Sequence, residues 1–210
     1  MSDSKMIKVY SFPPSANPYK VRLFLSLLGL DFEIEPVDLT EGEHKSPEFL
    51  SINPFGQVPV LVDGDVTVSD SQACLVYLAR KYGGEDWLPN DPAAEAVVAE
   101  WLSRAANEIH NGPWLTRFAT MRPGRVSLPM EMLHERCHAI LKLMDGRLGS
   151  QDWLALADRP TVADVAIFAI VSLLGDAKID TKAYANVDAW LGRMRQLPGA
   201  IALDGSSLAA

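Results

Sequence analysis

The sequence predicts an α/β domain over residues 1–82, a linker at 83–92 and an all-α helical domain over 93–210. Three observations lead there. Up to Tyr82, short stretches with the two-residue alternation of a half-buried strand interleave with helical patterns. Gly83-Gly84-Glu85-Asp86-Trp87-Leu88-Pro89-Asn90-Asp91-Pro92 then breaks every periodicity, as an interdomain connection does. Beyond it only the helical period recurs.

Taken in order, residues 7–11 alternate as a strand, and Asn17-Pro18 supplies an N-cap and a first-position proline for a helix ending near Gly29. Residues 32–37 alternate again, and 47–52 suffice for one or two helical turns. Residues 58–62 and 66–69 flank the Asp63-Gly64 turn as a hairpin. A helix over 71–82 closes the unit. The resulting order βαβ, short α, ββα is that of a thioredoxin-like domain. In the second half, Asp91 caps and Pro92 opens a helix with Val98, Trp101, Leu102, Ala105 and Ile109 on one face, until Asn111-Gly112-Pro113 interrupts it. Leu133, Cys137, Ile140, Leu141, Met144 and Leu148 make a second stripe. Thr161-Val162-Ala163-Asp164 is a capping box before a helix apolar on nearly all sides, which predicts a central, buried position.

With 210 residues, 48% of them hydrophobic, the chain can build a sizeable core. The net charge of -8 is spread evenly, 7 basic against 11 acidic residues up to Tyr82 and 12 against 16 beyond. No nucleic acid and no anionic membrane is expected as a partner, because both need clustered Lys and Arg. Two cysteines, Cys74 and Cys137, both on helical core faces, fit buried thiols in a reducing compartment better than a disulfide framework. The start Met1-Ser2-Asp3-Ser4-Lys5 has no apolar leader segment, and the longest apolar run, 165–174, is well short of the ~20 residues of a membrane span. A soluble, cytoplasmic protein is expected.

The most specific feature is Asn53-Pro54-Phe55-Gly56-Gln57-Val58-Pro59-Val60-Leu61, followed by Asp70-Ser71 at the head of a helical stretch. Pro59 cannot donate a backbone hydrogen bond. If the Val58-Pro59 bond is cis, the Val58 N–H and C=O turn outward, where an extended peptide can pair with them. Ser71 and the free amides of a helix start can receive a carboxylate while Asp70 receives an ammonium. A ligand with both groups on one α-carbon is implied.

Gln57-Val58-Pro59 and Asp70-Ser71 at this separation resemble the glutathione transferase family, and the resemblance runs from Lys8 to about Leu203. It implies glutathione as co-substrate, bound through Gln57, Val58, Pro59, Asp70 and Ser71, no further cofactor and no metal. His44-Lys45 resembles the segment that reaches the glycine carboxylate of glutathione, with Lys45 the first counter-charge and His44 the second. The capping box is also the family's core-helix nucleus, so Thr161 and Asp164 are structural. A role in detoxification and a homodimer, with the first domain of one subunit against the helical domain of the other, are implied too.

Glutathione transfer needs a thiolate, and a free thiol has a pKa of about 8.5, so the site must favour the anion. A shift of about 2 units corresponds to about 2.7 kcal/mol. One hydrogen bond to a charged acceptor supplies about 1.5–3 kcal/mol and a helix N-terminus about 0.3–1. In Pro13-Pro14-Ser15-Ala16-Asn17-Pro18, read as the loop three residues ahead of the first helix, the Ser15 hydroxyl and the Asn17 amide can both donate to sulfur. Ser15 matches the catalytic serine of the phi, theta and delta classes, whereas Ser15-x-Asn17 is similar to the Thr-x-Asn of bacterial nu-like members. The first precedent implies conjugation to electrophiles, the second reduction of disulfides or peroxides. Tyr10, on the first strand, and Tyr19, inside the helix, are alternative hydroxyls. A cysteine is absent from the loop, which argues against mixed-disulfide chemistry there.

For the second substrate the resemblance points to Trp114, Arg117 and Phe118 beyond the kink. His134-Glu135-Arg136-Cys137-His138 matches the H-E-x-x-H zinc pattern, but no histidine follows His138, and Asp145 or Asp152 would have to complete the site. Chance on an amphipathic helix explains it better. Outside enzymes, a non-catalytic binding or assembly module of the same fold is the rival reading.

Overall fold

The computed structural model describes residues 6–208; the segment 1–5, where the sequence shows no apolar leader, and residues 209–210 lie outside the described residues. Two compact units emerge among the described residues, 6–83 with 197–208, and 84–196.

In the first unit β1 (Ile7–Ser11) pairs in parallel with β2 (Phe32–Pro36) and antiparallel with β3 (Val60–Asp63), which pairs antiparallel with β4 (Val66–Val68). The strand order is β2-β1-β3-β4. Strand alternation divides the core into two layers. On one face Tyr10, Val60 and Val62 pack with Val37, Val58, Phe49 and Ile52, the last two from α2 (Pro47–Ile52). Val9 and Leu61, fully buried, alternate to the other face, where α1 (Ala16–Leu27) and α3 (Ser71–Leu78) lie against each other and against the sheet. Asp63 fastens the hairpin to the wide π-turn 79–83 that ends α3. Its carboxylate accepts from Lys81 Nζ (2.7 Å), the Tyr82 hydroxyl (2.7 Å) and the Tyr77 hydroxyl (2.9 Å).

Three boundaries differ from the sequence expectation. α1 starts at Ala16 with Ser15 as its N-cap, so Asn17 and Pro18 lie within the first turn. Proline is tolerated there because none of the first four helical N–H groups has an intrahelical acceptor. Within the segment read as an irregular linker, Gly84–Trp87 form a short helix, α4, entered through the left-handed Gly84 (φ +62°). Residues 197–208, assigned by sequence to the helical domain, pack on the first unit. Polar side chains of α1 hold their carbonyls: the Tyr19 hydroxyl donates to Ile201 (2.7 Å), Arg22 Nη2 to Leu203 (2.9 Å) and Ser26 Oγ to Gly199 (2.6 Å). Gly199 (φ +82°) approaches so closely that a Cβ would lie 2.4 Å from the Ser26 oxygen.

The second unit comprises α4, α5 (Pro92–Ala106), α6 (Leu115–Met121), α7 (Met130–Leu148), α8 (Val162–Val171) and α9 (Ala185–Arg195), with short 3-10 turns between α8 and α9. Asp91 caps α5, as expected. The interruption expected at 111–113 takes the form of a π-turn over His110–Trp114 that carries Pro113 inside it. The wider turn accommodates a residue that has no N–H to donate. Every residue of α8 is buried, its Thr161/Asp164 capping box is formed, and the six stripe residues of α7 are all buried. Asp164 is the hub. It accepts from Leu154 N (2.9 Å), Thr161 N (2.9 Å), Thr161 Oγ1 (3.1 Å) and Trp190 Nε1 (3.0 Å). Asp145 of α7 accepts from Asn186 N (2.8 Å) and Val187 N (3.1 Å), capping α9 from outside.

Candidate functional site

The sheet topology gathers the sequence-predicted residues around Val58-Pro59 and Asp70-Ser71 at one end of the first unit. Tyr10 pairs with Val60, so the Val58-Pro59 segment preceding β3 lies beside the end of β1 and the loop leading to α1. Val68 pairs with Leu61, so β4 delivers Asp70 and Ser71 to the same end.

The Val58-Pro59 peptide bond is cis. Val58 lies ahead of the β3 register, which begins at Val60, and its side chain is anchored in the α2-side core. Asn53, fully buried, shapes the turn before it: Nδ2 donates to the Gln57 carbonyl (2.8 Å) and Oδ1 accepts from Phe55 N (3.1 Å). Gly56 is required here, because φ is +58° and a Cβ would sit 2.7 Å from both the His44 carbonyl and Lys45 Nζ. Lys45 Nζ donates to the carbonyls of Gly56 (3.1 Å) and Phe55 (3.4 Å), which position its charge without neutralising it. His44 and Lys45 lie in a 3-10 turn, Glu43–Lys45, and His44 Nδ1 is buried without a hydrogen-bond partner. The Gln57 side chain is exposed.

At α3, Asp70 is the N-cap, its Oδ1 accepting from Gln72 N and Ala73 N (both 2.9 Å). Ser71 is buried and its hydroxyl donates to the side-chain carbonyl of Gln72. At α1, Ser15 half-shields its hydroxyl and makes no side-chain cap bond, which leaves that O–H beside the helix N-terminus. The expected three-residue gap between Ser15 and the helix does not exist, and the helix dipole acts on Ser15 at closer range. Tyr19 is removed as a rival hydroxyl, since it is buried and bonded to Ile201, while Tyr10 packs edge-on to Phe49. Burial pushes both cysteine thiols up to about 12, so neither is a thiolate at neutral pH.

Lys20 was missed by sequence reasoning. It lies in α1, 1% exposed, with Nζ 2.9 Å from Asn17 Oδ1 and 3.4 Å from Ser71 Oγ. Burial pulls its pKa down to about 8, against the opposing pull of Asp70. A lysine at a helical position that otherwise reads as an exposed solubilising charge carries no sequence signal of this. The unfolded chain therefore binds more protons than the folded one between pH 8 and 10.5. The penalty is fully present below pH 8 and relieved as pH rises through that window. Native stability is expected to gain about 3 kcal/mol relative to Lys20→Met between pH 7.5 and 10.5. Parallel pH–stability curves for the two proteins would contradict this.

In the second unit His110, Trp114 and Phe118 stack in series, with centroids 4.3 and 5.1 Å apart and planes within 14° and 6°. Arg117, grouped with them by sequence, is buried and its Nε donates to Asp176 (2.8 Å), so its charge fastens α6 to the turn 174–177. The H-E-x-x-H segment has His138 Nδ1 engaged with the Tyr184 hydroxyl (2.7 Å) and Asp145 engaged in capping α9. Among the described residues no three His, Cys, Asp or Glu side chains come together as a metal site. No helix of the described residues is long and apolar enough to cross a membrane.

The family profile for glutathione S-transferase N-terminal domains matches residues 5–80, and that for the C-terminal domains matches 130–198. A zeta-class glutathione S-transferase of Euphorbia esula is 48% identical over 164 residues, covering 76% of this chain and 72% of that protein. Among solved structures, a possible glutathione S-transferase from Rhodopseudomonas palustris superposes with a TM-score of 0.85 at 30% identity, over 96% of this chain and 100% of that one. A glutathione transferase homologue from Lodderomyces elongisporus, solved with two glutathione molecules per subunit, gives 0.82 at 28% identity over 93% and 95%. The chain belongs to the glutathione S-transferase family, enzymes that use glutathione as co-substrate.

Proposed function

We propose that the protein binds glutathione at the sheet end formed by cis-Pro59 and α3, and activates its thiol with Ser15, assisted by Asn17, for attack on a small electrophile. The observation that carries this is the Ser15 hydroxyl at the N-terminus of α1, making no cap bond. In that arrangement the γ-glutamyl carboxylate accepts from the Ser71 hydroxyl and backbone N–H at the start of α3, and the ammonium lies at the Asp70 oxygen not engaged in capping. The cysteinyl backbone pairs with Val58, with Gln57 alongside, and the glycine carboxylate meets Lys45 and His44. The sulfur then accepts from Ser15 Oγ and from the Asn17 amide nitrogen, whose companion oxygen is held by Lys20. The half-buried stack of Trp114 and Phe118 offers apolar area to a second substrate; Arg117, paired with Asp176, is not part of that surface. In this reading residues 6–83 with 197–208 are the glutathione-binding part and 84–196 the helical substrate-binding part, and a cytoplasmic location fits an acidic chain with buried free thiols.

A reductase reading is favoured by one finding, the two glutathione molecules in the Lodderomyces homologue, an occupancy that suits a disulfide substrate. Initial rates with glutathione and an aryl halide, set beside rates with a small dialkyl disulfide, separate the two. Faster turnover of the halide is expected; activity on the disulfide alone assigns reduction, and activity on neither favours a binding module.

Homodimerisation belongs to the same reading. Phe55, 75% exposed on the turn beside Gly56, and Leu143, 66% exposed, are the most exposed of the large apolar side chains among the described residues. Leu143 and Ile140 line a groove of about 520 Å³ on α7, bordered by Glu108 and Arg136. Insertion of Phe55 of one copy into this groove of another would bury both. Phe55→Asp is expected to convert a dimer to a monomer in analytical ultracentrifugation; an unchanged mass would reject this contact.

A further inference from the structure

We propose that Lys20 is a positioning residue of the glutathione site, an internal cation that orients Asn17 and Ser71 together and adds favourable charge beneath the bound γ-glutamyl carboxylate. The inference rests on the glutathione reading above. Its geometry comes from the packing of α1 against α3: one ammonium, sealed from solvent, reaches the first turn of α1 and the first residue of α3 at once. A lysine is only a donor. Its bond to Asn17 Oδ1 therefore fixes the amide with its NH2 turned away from Lys20, the end able to donate to sulfur. Its approach to Ser71 Oγ makes that oxygen an acceptor, so the orientation of the Ser71 O–H is set in the same network.

The electrostatics follow from position. A carboxylate that takes over the Ser71 O–H from Gln72 comes within a few ångströms of Nζ, in an interior where charges interact more strongly than in water. The ionisable groups on the elements packed against α1 are Asp70, Cys74 and Tyr77 of α3, and Lys8 and Tyr10 of β1. Asp204 of the C-terminal segment acts on Arg22, Lys8 is bonded to Glu35, and Tyr77 to Asp63. Asp70 is the charge that acts on Lys20, and Cys74 stays neutral. Once a ligand ammonium engages Asp70, Lys20 is the cation left to face the ligand carboxylate. With its pKa pulled down to about 8, Lys20 loses charge in a range where ordinary lysines do not, so ligand affinity carries its titration.

The test uses S-methylglutathione, which has no ionisable thiol, and measures its affinity by calorimetry from pH 7 to 9 for the native protein, Lys20→Met and Lys20→Arg. Native affinity is expected to fall at least about threefold more than that of Lys20→Arg across this range, because the ligand ammonium titrates alike in both proteins and only native Lys20 loses charge. Lys20→Met is expected to bind about tenfold more weakly at pH 7, and Lys20→Arg, always charged, to recover most of the affinity, both variants keeping only the pH dependence of the ligand ammonium. The ultraviolet thiolate signal of bound glutathione is expected to move to higher pH in Lys20→Met and back in Lys20→Arg, which loss of packing alone would not produce. If the Met variant does not fold, the native and Arg profiles decide. A native profile parallel to that of Lys20→Arg, or Lys20→Met binding within about twofold of native with an unshifted thiolate midpoint, overturns the role of Lys20 while glutathione binding stands. No binding of S-methylglutathione to the native protein overturns the glutathione reading itself.

Discussion

Replacing Ser15 by alanine is expected to raise the pKa of enzyme-bound glutathione by more than about 1 unit, equivalent to about 1.4 kcal/mol, while glutathione affinity stays within a few-fold. The asymmetry follows from where the hydroxyl acts. Ser15 makes no cap bond, so its removal leaves α1 intact, and the groups read as holding the peptide and both carboxylates of glutathione are untouched. What is lost is a donor to a charged sulfur, an interaction stronger in the thiolate than in the thiol. At pH 7, from a native midpoint of about 6.5, the thiolate fraction, and with it the rate of conjugation, should drop at least about threefold. The helix N-terminus and Asn17 remain, so activity should not vanish. An unchanged midpoint in Ser15→Ala would move the assignment to Asn17, whose own alanine variant would then carry the shift.

The largest effect on stability is expected from Asp164→Ala. The carboxylate is fully buried and accepts four hydrogen bonds, from two backbone amides, the Thr161 hydroxyl and the Trp190 indole. Truncation leaves these donors buried without an acceptor and opens a cavity beside α8, for a loss of about 4 kcal/mol. At about 2–4 °C per kcal/mol for a chain of this size, the thermal midpoint should fall by roughly 10 °C. Asp164→Asn should fall between the two proteins, since it presents an NH2 where a donor already points. A loss below about 1 kcal/mol for Asp164→Ala would mean that the hub contributes little.

The order of strands and helices up to Tyr82 was legible because strand alternation and helical period are local properties of the chain. So was the α7 stripe, whose six residues are all buried. The start of α1 was not. Asn17-Pro18 and Ser15-Ala16 both satisfy the rules for a helix beginning, and the choice between them depends on a first turn that tolerates proline at its third position. The C-terminal segment was misassigned because its attachment consists of its own carbonyls meeting Tyr19, Arg22 and Ser26, contacts more than 170 residues apart in sequence that leave no periodic trace. Of the candidate site, the motif residues at Val58-Pro59 and Asp70-Ser71 could be read directly. The roles of Asn53 and Lys20 could not. A buried amide that shapes its own turn and a buried lysine that joins two helices are indistinguishable in sequence from a surface amide and a surface lysine, and only the packing of α1 on α3 brings Lys20 to Ser71.

Thiol activation is tested most directly by titrating the ultraviolet absorbance of the glutathione thiolate bound to the native protein. The expected midpoint lies well below the free-thiol value of about 8.5, near pH 6.5. Binding with a midpoint at the free-thiol value would contradict thiolate stabilisation by Ser15 and the α1 N-terminus.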